Sequence, residues 1–164
     1  MYKVIEKYYL LLHPRPAYII GSGLVGEKVN FMAASWVTPV SEEPPRVAVA
    51  VDVESYTHEL IEKYGEYTVN VLPVDKLNLV YRVGSTSGRE VDKSQWFKYR
   101  RGEKVGAPVI LDSLAYLECK VVDTHEAEDV TLFIADVLLA KANTEYFSSQ
   151  RGWDFKKVNI PLHN

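Results

Sequence analysis

The chain has 164 residues, of which 47 % are apolar and 25 % charged, with a formal net charge of −3. That length suits one well-filled core, so a single domain over residues 1–164 is expected. The acidic balance argues against nucleic-acid partners, which ask for a basic face, and no apolar run reaches membrane-spanning length. The start carries no Arg/Lys-flanked apolar leader, and the only cysteine, Cys119, cannot form an internal disulfide. Both features lead to the expectation of a cytoplasmic protein.

Strand signals come first along the chain. "AYIIGSG" (Ala17 to Gly23) is a short apolar run closed by glycines, and "VNFMAASWVT" (Val29 to Thr38) follows across "LVGEK", as in a hairpin. In "RVAVAVDV", Val47, Val49, Val51 and Val53 point one way while Ala48 and Ala50 point the other. "THELIEKY" reads as a short helix capped by Ser55 or Thr57, with Leu60, Ile61 and Tyr64 as its apolar stripe. "EYTVNVL" alternates again, and "VDKLNLVYRVG" is helical with Gly84 as its stop. Residues 85–105 lack periodicity and read as a long loop. Two long strands, "SLAYLECKVVDT" and "VTLFIADVLLAKA", follow, joined by the acidic turn "HEAED". The order implies a mainly β protein, a small β-barrel with short helical insertions rather than a parallel α/β sheet.

The four histidines, His13, His58, His125 and His163, show no metal-ligand spacing, so no metal site is expected. Cys119 alternates with Leu117 and Val121 and so faces the core, where a free thiol is inert. The loop "GSTSGREVDK" matches neither nucleotide fingerprint, yet it supplies Gly84, Gly88, three hydroxyls (Ser85, Thr86, Ser87), Arg89 and Lys93. From Arg89 to Lys104 there are six Lys/Arg against three Asp/Glu. Backbone amides in such a turn can cradle an anion and a cation can neutralise it; a solvated surface loop explains the same residues. "ESYTHEL" opens a helix and offers a second anion site, or simply a cap. In "MAAS" (Met32 to Ser35) the small side chains let a flat ligand approach the strand, or else they fit a bulky neighbour in a barrel taper.

Taken together and in order, "NFMAASWVTPVSEEPPRVAVAV", "YTHELIEKYGEYTVNVL", "GSTSGREVDK" and "TLFIADV" resemble the flavin reductase-like FMN-binding split-barrel family, which includes the flavoredoxins. The resemblance runs from about His13 to Ala140. It implies a split β-barrel that forms a homodimer, with FMN near the interface and NADH or NADPH as electron source. By position, it places Ala33, Ala34, Ser35 and Trp36 along the flavin ring and ribityl chain, with Ser41 nearby. It brings Ser55, Tyr56, Thr57 and His58 toward the ribityl phosphate and puts Asn70 at a family position. Gly84, Ser85, Thr86, Ser87 and Gly88, with Lys93, would complete the phosphate side. Many relatives read "gDHTLF" where this chain has "EDVTLF", so Val130 stands in place of a histidine. The resemblance therefore implies an NAD(P)H-dependent oxidoreductase or, alternatively, an FMN-binding electron carrier without nicotinamide turnover.

Overall fold

A computed structural model describes residues 1–163; Asn164 lies outside the described residues. Seven strands form one antiparallel sheet: β2 (Tyr18–Gly23), β3 (Val29–Ala34), β4 (Val37–Ser41), β5 (Arg46–Asp52), β6 (Glu66–Val71), β9 (Ala115–Ala127) and β10 (Val130–Ala142). Their spatial order is β3-β2-β6-β9-β10-β5-β4. The protein is thus mainly β, as the patterning implies. No ladder closes the sheet among the described residues, because β3 and β4 are its two edges. β4 suits an edge: Pro39 has no amide to donate to a further strand.

Two short helices flank the sheet, α1 (Tyr56–Tyr64) and α2 (Leu77–Gly84). Ser55 caps α1 by accepting from the His58 amide at 3.1 Å, and Gly65 ends it in the left-handed conformation with φ +70. The cap contributes about 1 kcal/mol. Leu60 and Ile61 are buried beneath it, each contributing about 1.5–3 kcal/mol.

The sheet is buried on both faces where β2 and β3 run. Ile20 and Ala34 join Val47, Val49, Val51, Tyr67 and Phe133 in one cluster, with Ile61 of α1. Ile19 and Phe31 join Val80 and Val83 of α2 in the other, with Ala33 packed against it. A strand alternates its side chains, so α1 and α2 cover opposite faces. Cys119 is in the first cluster, and burial pushes its thiol up to about 12.

The remaining strands are short. β7 (Tyr99–Arg101) pairs with β8 (Pro108–Ile110), and β11 (Phe147–Ser148) pairs with β12 (Gly152–Trp153). β1 (Arg15–Pro16) pairs with β13 (Leu162–His163), which ties the two ends of the chain together. The segment read as a structureless loop over 85–105 holds a 3-10 turn at Lys93–Trp96 as well as β7. The acidic turn is tighter than expected: β9 continues through His125, Glu126 and Ala127, leaving Glu128 and Asp129 to turn. Cross-strand pairing outweighs the low strand preference of Glu there.

Candidate functional site

The end of β3 carries the small residues of "MAAS", and their spacing from α2 is set by Gly84. A Cβ on Gly84 would stand 3.3 Å from the Ala33 Cβ, tight against it. Between them opens a cleft of about 290 Å³, lined by Ala33, Ala34, Ser35, Tyr81, Ser85 and His163 among others. Its volume is at the low end for ligand sites, roughly 300 Å³, so a ring system fits better than a dinucleotide. Ala34 belongs to the core and also lines the cleft.

From Gly84 the chain wraps around the outer edge of β3. Ala33 and Asn30 differ by an odd number and so point to opposite faces. Gly84 lies against Ala33 on the α2 face, whereas a Cβ on Gly88 would overlap Asn30 Oδ1 on the α1 face. Asn30 is buried and donates to Thr57 Oγ1 at 3.1 Å, which ties β3 to the first turn of α1. Arg89 spans the same gap. Its guanidinium donates to the Glu54 and Ser55 carbonyls at 3.4 and 3.5 Å, lies 3.5 Å from Glu59, and sits 5.6 Å from the Tyr56 ring centroid. Asn30, Tyr56, Gly88 and Arg89 line a second hollow of about 560 Å³. The two anion sites that look separate in sequence are therefore one neighbourhood.

The loop keeps its amides free by satisfying α2 with side chains. The Ser85 and Thr86 hydroxyls donate to the Arg82 carbonyl at 3.3 and 2.8 Å. Lys93 donates from Nζ to the Val83 and Thr86 carbonyls at 3.2 and 2.7 Å. It is only 3 % exposed, and desolvation lowers its pKa to about 8. Ser87 Oγ accepts from the Arg89 amide at 3.2 Å. Among the described residues the amides of Thr86, Ser87 and Gly88 meet no acceptor, and neither do the first-turn amides of Tyr56 and Thr57. Such unpartnered donors beside an arginine suit a phosphate.

Other residues singled out in the sequence do different things. The His58 ring turns inward, with Nε2 2.8 Å from Thr131 Oγ1 and the ring 5.2 Å from that of Phe133. Asn70 is fully buried, donates to the Ile19 carbonyl and Thr68 Oγ1, and accepts from the Ile110 amide, all at 3.0 Å. It holds strands together. Trp36 is 39 % exposed and meets Tyr9 edge-on at 5.6 Å. Ser41 is at the far end of β4, beside Arg46, and lines neither hollow. Val130 pairs with Asp52 at the start of β10.

Asn30 escaped the sequence reading, and His163 was given no site role there. A polar residue inside an otherwise apolar strand was the available signal for Asn30, since a buried amide side chain must find partners. The string "VNIPLHN" resembles a family segment around His163, and the β1–β13 pairing brings that residue to the cleft.

Comparison with known proteins decides the relationship. A sequence model described as the Flavin reductase like domain matches residues 10–156. The chain belongs to the flavin reductase-like family. An uncharacterized protein of Pyrococcus abyssi is 37 % identical over 155 residues, 94 % of this chain and 88 % of its own. A flavoredoxin from Methanosarcina acetivorans superposes with a TM-score of 0.89 at 31 % identity, covering all of this chain (100 %) and 87 % of that one. The FMN-binding protein from Thermus thermophilus, with bound 1-cyclohex-2-enone, superposes with a TM-score of 0.84 at 27 % identity, covering 94 % and 84 %. This chain thus shares the fold of an FMN-binding protein. None of its described helices is long and apolar enough to cross a membrane.

Proposed function

We propose that this chain is a single FMN-binding domain that acts as a cytoplasmic, homodimeric flavin reductase-like oxidoreductase, using NADH or NADPH. The observation that carries the reading is the wrapped loop: Gly84 closes on the small-residue cleft at one end, and Gly88 meets the start of α1 at the other. In this reading the cleft formed by Ala33, Ala34 and Ser35 takes the ring, with Trp36 at its rim. The free amides of Tyr56, Thr57, Thr86, Ser87 and Gly88 take the phosphate. Ser55, Ser85 and Lys93 hold the backbone that presents them, and Arg89 supplies the neutralising charge. FMN, when bound, supplies the hydride chemistry; the side chains orient it and exclude water. The family relationship supports oxidoreduction, and the FMN-binding protein of the same fold supports FMN.

The homodimer is supported by apolar residues left on the surface. Tyr8, Leu10, Leu11 and Leu12 of the 3-10 turn Tyr8–Leu12 are exposed, with Trp36 and Val40 also exposed. Exposed apolar side chains of this kind favour self-association. The alternative, an FMN-binding electron carrier without nicotinamide turnover, is favoured by Val130 standing where the motif resemblance leads one to expect a histidine.

Two measurements test the reading. Mass analysis of the cofactor released on denaturation is expected to give FMN; FAD, or no flavin after reconstitution, overturns it. Steady-state NADH and NADPH oxidation with FMN then separates the reductase from the carrier.

A further inference from the structure

Along the cleft wall, Ser35 Oγ lies 2.7 Å from His163 Nδ1. Ser35 is buried, and its carbonyl accepts from Arg15 Nε at 2.8 Å, which fixes the backbone beneath the hydroxyl. His163 is fixed as well. Its carbonyl accepts from His13 Nδ1 at 3.0 Å, the two rings meet edge to face at 4.6 Å, and β13 pairs with β1. His163 and Ser35 both line the cleft.

We propose that Ser35 and His163 act as one donor–acceptor pair that reads an N–H/C=O edge of the ligand in this cleft, a lactam or imide such as a flavin's pyrimidine edge. The inference rests on the flavin reading above. With its proton on Nε2, the imidazole accepts the Ser35 hydroxyl proton at Nδ1. The serine oxygen keeps lone pairs for a ligand N–H, and the imidazole Nε2–H is left for an adjacent carbonyl. Neither group alone offers this pattern.

The surroundings disfavour the protonated imidazole. The groups facing it are His13 ahead of β1, Arg15 on β1, Ser35 after β3, and Tyr81 and Ser85 around the end of α2. Among the described residues, no carboxylate lines the cleft. Burial first, and His13 second, lower the pKa of His163 from its usual 6.5. Protonation would turn Nδ1 into a donor toward Ser35. The serine would then accept from the ring and donate to the ligand, and the pair would present two donors where one donor and one acceptor are needed.

The test is equilibrium binding to flavin-free protein, with riboflavin and 3-methylriboflavin, whose N3–H is blocked. Wild type is expected to bind the methylated flavin about ten-fold more weakly, the scale of one buried hydrogen bond lost with its partner left unpaired. Ser35→Ala, checked by circular dichroism for folding, is expected to bring the ratio close to one by weakening riboflavin, and His163→Ala to weaken both flavins through loss of the Nε2–H donor. A ratio that closes in Ser35→Ala because 3-methylriboflavin binds more tightly while riboflavin is unchanged marks a purely steric methyl clash and would overturn the proposal. Riboflavin affinity of the wild type should fall on acidification through the His163 titration, which lies below the usual histidine range. His163→Asn, which still accepts from Ser35 but does not titrate, should stay flat. Equal affinity of wild type for both flavins, or the same pH decline in His163→Asn, overturns the pair and leaves flavin binding standing. Failure of wild type to bind either flavin overturns the functional reading and this inference with it.

Discussion

Replacing Lys93 separates a phosphate ligand from a loop brace. The sequence places this lysine in a glycine loop, where an exposed ammonium would meet an anion. In the fold it is 3 % exposed and donates to two carbonyls at the end of α2. Lys93→Ala removes three methylenes of buried stem, about 2.4 kcal/mol at about 0.8 each. It also leaves the Val83 and Thr86 carbonyls without their donor, about 1–3 kcal/mol each if they stay buried. Against this stands relief of desolvation. A pKa lowered from 10.5 to about 8 corresponds to at most about 3 kcal/mol. The balance is a net destabilisation of about 1–5 kcal/mol, read as a lower urea midpoint at pH 7. Lys93→Met keeps much of the stem and isolates the polar part.

The linkage has a definite sign. Between pH about 8 and 10.5 the unfolded chain binds more protons at Lys93 than the fold does. This lysine's contribution to wild-type stability therefore rises with pH through that window, and the rise is absent in Lys93→Met. FMN, titrated at fixed salt into wild type and Lys93→Ala, should lose affinity together with the fall in urea midpoint, and riboflavin should lose less, because the mutation loosens the backbone that presents the phosphate-binding amides. A ten- to hundred-fold loss for FMN alone, with riboflavin and the urea midpoint unchanged, would refute the reasoning and make Lys93 a direct phosphate ligand.

Gly88→Ala should displace Asn30 and break its bond to Thr57; the expected readout is about ten-fold weaker FMN binding with a smaller effect on the urea midpoint. Asn70→Ala leaves the Ile110 amide and the Ile19 carbonyl short of partners in the core, so about 3–5 kcal/mol of stability should be lost in urea unfolding while the ratio of FMN to riboflavin affinity stays constant. Cys119, buried and with its thiol pushed up to about 12, should resist a thiol-specific reagent at pH 8 and react at once after denaturation; fast reaction in the folded state would contradict its place in the core.

Local patterning was enough to determine much of the chain. Alternation in Arg46–Asp52 and Glu66–Val71 made these strands wherever they paired, and Ser55 with Gly65 bounded α1 by cap chemistry that acts within a few residues. The resemblance identified the family from motifs that survive as short strings. The partners of polar side chains were decided only in three dimensions. Lys93 and Asn70 read as site residues because a sequence cannot say whether a donor meets a ligand or a backbone carbonyl. Burial against α2 and between strands directed them to carbonyls. Asn30 and His163 became visible in the opposite way. One faces α1 because strand parity puts it on that face, and the other reaches the cleft because the two ends of the chain pair, with His13 and His163 lying 150 residues apart. Pairings over such separations depend on the closure of the whole fold, which no window of sequence contains.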